Sequence, residues 1–232
     1  MLRRKRWLFA LMAILPTLAI FAWVRIYPIW ETLRLSVHKW DILSKNKPFI
    51  GMANFQELFR DRLFIEALTN TAIIAFGVLL ITIPLSLVLA ALIHHRSRSR
   101  LSAFYETSIF IPHVVSLVPA AMAWKWIFDA KLGPLNALLG AFGVAPKAWL
   151  FDPVLSVVCL IVLCSWQALG YAVLIYVVGF KSLPVSLYEA ARLDGASGPQ
   201  SFWFLSVPML KPITLYVSVV TLVSGFNVYA QA

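Results

Sequence analysis

The chain has 232 residues, 61% of them hydrophobic and 13% charged, and a mean hydropathy of +0.82. That balance excludes a water-soluble domain and indicates one multispanning, all-helical membrane domain over residues 1–232. The formal net charge of +10 does not point to nucleic acid, because the basic residues fall between apolar runs, as topology signals do.

Arg3-Arg4-Lys5-Arg6 precedes the apolar run Trp7 to Val24. No small-residue cleavage site follows, so the run reads as a retained first span, 7–27, and not as a secretory signal. Its basic flank places the N-terminus in the cytoplasm, and Arg25 and Tyr27 suit the outer interface. Pro28 to Asn70 reads as a polar and aromatic segment on the far side, with Asp61 placed to cap a helix entering the membrane. Thr71 to Ile93 is the second span, 71–93, bent at Pro84.

The basic run His94 to Arg100 is cytoplasmic by the same charge rule. His94 and His95 have no acid or cysteine at ligand spacing, so they read as a solvated turn, and no metal site is expected. The third span, 107–128, contains Pro112 and Pro119, which are tolerable where neighbours satisfy the freed carbonyls. His113 and Ser116 share a face of it, either lining a pathway or, the preferred reading, making an interhelical hydrogen bond. Asp129 to Pro153 is an external loop. The fourth span is 154–180. Cys159 and Cys164, at i,i+5, point to different faces and read as buried small hydrophobes. Gln167 and Tyr171 lie one turn apart on one face, an amide and a phenol able to bond sugar hydroxyls.

The polar stretch 182–212 separates the fourth span from a fifth, 213–232. Pro184 to Asp194 reads as a helix that ends at Gly195, where positive φ is wanted. Ala-Ser-Gly-Pro makes a turn, and Ser197 with Gln200 has capping-box spacing for a second helix, which Pro208 and Pro212 bend or end. The fifth span carries Thr214, Ser218, Thr221, Ser224, Asn227 and Gln231 at steps of three or four residues. That is a polar stripe, which faces protein or water and not lipid. Packing between helices is the competing use for each residue.

No phosphate-binding loop and no hydrolase or metalloprotease motif is present, so the chain is not expected to be an enzyme or to bind a cofactor. Energy must come from a partner or an ion gradient. An ion-gradient-driven secondary transporter or channel is the alternative, and it requires an intramembrane acid or base. A membrane enzyme acting on lipid-linked sugar would need positioned acids, and no such pair is found.

Glu189-Ala190-Ala191, three residues, Gly195, nine residues, then Leu205-Ser206-Val207-Pro208 resembles the EAA loop of ABC importer permeases, and Asp194 fits the same context. Gly51, Asn54-Phe55, Asp61, Phe64 and Asn70-Thr71 are similar to a signature of the carbohydrate-uptake branch, of the maltose and glycerol-phosphate permease type. So are Gly133-Pro134-Leu135-Asn136 and Trp149-Leu150. The resemblance implies a type I importer transmembrane domain in the bacterial inner membrane, and a multi-pass chain with five spans of an expected six, hence C-terminally incomplete. It implies a second permease subunit, a cytoplasmic ATPase dimer holding ATP and Mg, and an external solute-binding protein as partners. Glu189, Ala190, Ala191, Asp194 and Gly195 would couple to the ATPase. Gln167, Tyr171, Thr221, Ser224 and Asn227 would lie on the path of a sugar or polyol.

Overall fold

The computed structural model describes residues 2–41, 46–95 and 101–227. Among them the chain is helical apart from turns and an isolated bridge between His38 and Phe49. It divides into two compact units, Met1–Ala67 and Leu68–Ala232.

In the first unit, α1 (Leu2–Phe21) and α2 (Tyr27–Ser36) are joined by a π turn, Ala22–Ile26, without a break. The helix continues past Tyr27, where the first span was expected to end: Met12–Ser36 is one helix long and apolar enough to cross a membrane. Pro28 does not stop it. The Tyr27 N–H reaches back five residues to the Ala22 carbonyl. The ladder thus changes register just before the residue that has no N–H to give. Beyond α2, Gly51 at φ +60° turns the chain into α3 (Ala53–Leu58). Asn54 then donates to the carbonyls of Ser36 (2.8 Å) and His38 (3.0 Å), closing the open end of α2. Asp61 caps as expected, its carboxylate accepting from the Leu63 N–H at 2.9 Å where α4 (Arg62–His95) begins.

The 34 residues of α4 run through Pro84 without interruption and rise about 51 Å. The expected third span is broken. α5 (Leu101–Val114) and α6 (Leu117–Ile127) meet at 98°, with Ser116 extended between them. Pro119 explains the place: it has no N–H for the carbonyl four residues back, that of Val115. Gln167 supplies a long bond to that carbonyl instead, at 3.4 Å from its Nε2.

After α6, the short helix α7 (Pro134–Ala141) buries Asn136. Its amide donates to the carbonyls of Ala130 (3.0 Å) and Lys147 (2.9 Å) and accepts from the Lys147 N–H (3.1 Å) and the Trp149 indole (2.8 Å). Asp152 then caps α8 (Pro153–Ser182), accepting from Val154 and Leu155, each at 2.9 Å.

α9 (Val185–Leu193) follows. Then α10 (Gly198–Ser201), a π turn (Phe202–Ser206) and α11 (Val207–Met209) run on as one helical stretch. That stretch passes through Pro208, by the same device as before Pro28: Val207 donates five residues back to Phe202. α12 (Lys211–Phe226) leaves it at 68°. Residues 96–100 and 228–232, including Gln231, lie outside the described residues. Among the described residues three helices are long and apolar enough to cross a membrane, or up to five if each bent pair is one span.

Two packed cores hold the second unit. One joins α4, α8 and α12 around Leu87, Val173, Tyr176, Val177, Leu210 and Val217. The other joins α4 and α8 through Ile74, Val78, Leu163 and Cys164. Lipid is as apolar as these side chains, so close fit and hydrogen bonds hold the helices together more than exclusion from water does. A Cβ on Gly170 would stand 2.7 Å from the Ile109 carbonyl oxygen of α5, and one on Gly225 2.8 Å from the Ala75 Cα of α4. Small residues thus set both crossings.

Candidate functional site

Two features stand out, one at the polar stretch and one at mid-depth. The expected helix of the polar stretch is α9, with Pro184 and Asp194 as its caps. Gly195 has φ +79°. Its N–H bonds the Arg192 carbonyl at 3.1 Å, and the Ala196 N–H bonds that of Ala191 at 2.9 Å. This is a Schellman ending, in which a left-handed residue lets the chain reverse while satisfying the last carbonyls. Gln200 accepts from the Ser197 N–H at 2.7 Å, so the second half starts with the expected capping box.

One face of α9 is tied inward: the Tyr188 hydroxyl pairs with Ser206, which is buried, at 2.8 Å. Glu189, Ala190, Asp194 and Gly195 are exposed, and Ala191 is half-buried. Leu193, one turn from Glu189, is 90% exposed. An acid and a bare leucine thus stand together on one exposed face of α9. Neither Leu193 nor the Tyr188–Ser206 tie was singled out from the sequence. Leu193 was legible as the apolar residue at i+4 from Glu189. The tie, across 18 residues, was not.

At mid-depth a cavity of about 400 Å³ is lined by Gln167 and Tyr171 of α8 and by Thr221, Ser224 and Asn227 of α12. All five residues read from the sequence as pathway candidates therefore share one wall. Gln167 stands 15 residues before the end of α8, about 22 Å along the axis. Tyr171 and Tyr216 hydroxyls pair at 2.7 Å, and the Asn227 amide donates to its own helix at Val223 (2.9 Å). The polar stripe of α12 divides. Thr214 bonds the Tyr176 hydroxyl at 3.1 Å and so serves packing, whereas Thr221, Ser224 and Asn227 line the cavity.

His113, read from the sequence as lining a pathway or bonding between helices, lines this cavity with its ring 5.3 Å from that of Tyr171. Ser116 marks the break between α5 and α6. Cys164 also borders the cavity, buried. Among the described residues that line it there is no Asp, Glu, Lys or Arg. Its wall offers amide, hydroxyl, phenol and imidazole groups beside aromatic faces, an inventory for bonding neutral hydroxyls. Among the described residues no three His, Cys, Asp or Glu converge as metal ligands would.

Residues 82–232 match the family described as binding-protein-dependent transport system inner membrane component. A probable ABC transporter permease of Bacillus subtilis, YurN, is 36% identical over 94% of this chain and 75% of that protein. The lactose transport system permease LacF of Rhizobium radiobacter is 32% identical over 97% and 74%. The structure of a bacterial ABC transporter involved in import of the acidic polysaccharide alginate aligns with a TM-score of 0.81 at 25% identity, over 97% of this chain and 75% of that one. The chain accordingly belongs to the binding-protein-dependent inner membrane components, the multi-pass permease subunits of ABC importers, and is a transport subunit and not an enzyme.

Proposed function

We propose that the chain is one membrane half of an ATP-driven importer for a neutral sugar or polyol. The observation that carries the substrate class is the cavity lined by α8 and α12: among the described residues its lining is largely apolar, with amide, hydroxyl, phenol and imidazole groups set into it and no carboxylate, ammonium or guanidinium. Among the described lining residues a phosphate ester would meet the imidazole of His113 and no lysine or arginine, and buried charge needs pairing. The kinship with the lactose permease supports the same class. Gln167, Tyr171, Thr221, Ser224 and Asn227 contact the solute as it passes. α9 is the coupling helix. Glu189 makes an ionic contact with a cytoplasmic ATPase, Ala190 and Ala191 allow close approach, and Asp194 and Gly195 shape the helix end that transmits the motion. A second permease subunit completes the pathway, an external solute-binding protein delivers the solute, and ATP and Mg bind at the ATPase. The N-terminus lies in the cytoplasm with the loop.

The test is uptake by the reconstituted importer, with its binding protein, from a panel of labelled neutral oligosaccharides, polyols and glycerol 3-phosphate. ATP-dependent uptake of a neutral solute is expected. Uptake of glycerol 3-phosphate alone rules out the substrate class, and uptake driven by a proton or sodium gradient without ATP rules out the mechanism.

A further inference from the structure

A second cavity, of about 520 Å³, lies between the end of α4 and the stretch that carries α9 and α10. Its lining changes character along α4. Val88 and Leu92 are apolar and exposed, and His95 is the last helical residue. From Val88 to His95 the helix rises about 10 Å, the depth over which a leaflet passes from acyl chain to headgroup. Across the cavity stand Arg192 and the pair Phe202–Trp203, edge to face at 5.1 Å. Trp203 is 59% exposed, and an indole, apolar with one N–H, belongs at that same depth. No acidic residue is among the described residues lining the cavity. Arg192 is always charged, and Arg96, Arg98 and Arg100 follow His95 in the sequence.

We propose that this cavity seats an anionic phospholipid, its phosphate on Arg192 and His95 and the start of its chains against Val88, Leu92 and Trp203. Basic pockets at the cytoplasmic ends of spans recognise such headgroups by charge. A bound lipid would brace α9 against α4, and the choice of the cytoplasmic leaflet rests on the reading of α9 as the coupling helix.

The test uses the importer purified with its partner subunits. Equimolar phosphatidylglycerol and phosphatidylcholine are added in detergent, and retained lipid is counted by native mass spectrometry. Phosphatidylglycerol is expected to be retained in preference. Arg192→Gln and His95→Gln should each lower its occupancy about fivefold, the worth of one contact near a charged membrane surface, and Trp203→Leu should act in the same direction. Equal retention of the two lipids, or wild-type occupancy in all three variants, overturns the site. Displacement of the lipid by millimolar inorganic phosphate also overturns it and makes a soluble anion the occupant. The same spectra report whether the ATPase is bound. A complex without ATPase that still selects phosphatidylglycerol therefore counts against the coupling reading and for the lipid site.

Discussion

Gln167 connects two parts of the molecule that the sequence keeps 52 residues apart. Its Nε2 partly satisfies a carbonyl that Pro119 leaves without a donor, while the residue borders the cavity. Gln167→Ala removes both, so the half-saturating sugar concentration should rise about tenfold, the scale of one hydrogen bond to a neutral group. Uptake at matched protein level measures it, and an unchanged value removes Gln167 from the pathway. Asn136 is more committed to structure. Asn136→Ala should destabilise the external loop by about 2–3 kcal/mol, because buried partners are left unpaired. Faster hydrogen exchange at Lys147 would show it, with the transmembrane amides unchanged. Asp129, in the same loop, accepts from Leu132 (2.8 Å) and Lys131 (2.9 Å). These N–H groups, that of Leu132 first, hold its carboxyl below the ordinary aspartate value of 3.8. The turn is therefore fully stabilised above 3.8, and that contribution is lost as pH falls through the lower folded value. Protection of the Lys131 and Leu132 amides, measured against their intrinsic exchange rates, should fall only in that acid range.

Helix ends decide more here than helix interiors. Gly195 meets no atom within 4 Å of an added Cβ, so its constraint is conformational alone. Gly195→Ala should cost about 1 kcal/mol for the left-handed backbone and leave partial transport. Gly195→Pro cannot reach φ +79° and loses the bond to Arg192. It should abolish transport while the protein stays in the membrane. Normal uptake at normal expression in that variant would sink the coupling assignment. Prolines act differently by place. Pro28 and Pro208 each follow a π turn and are carried within a helical stretch. Pro84 is passed without interruption, and Pro119 lies in the first turn of α6 after a break. Composition marks all four equally, and what separates them is whether the neighbouring ladder shifts register or a side chain such as Gln167 takes the freed carbonyl.

An assembled importer should place a soluble partner on the exposed face of α9, where Glu189 and Leu193 stand together. Glu189→Lys should weaken or abolish co-purification of the ATPase with the tagged chain in mild detergent, without loss of the permease itself. Equal recovery in both samples would remove that contact. The membrane character, the helical class, the family motif, the caps at Asp61, Gly195 and Ser197 and the polar stripe of α12 were all readable from residue order. Periodicity, capping and charge act over a few residues, so local sequence carries them. The continuation of the first helix to Ser36, the break at Ser116, the use of Thr214 for packing and the turn of His113 toward Tyr171 were not. Each depends on which distant group reaches a freed carbonyl or an unpaired side chain, and that is settled only when the helices pack.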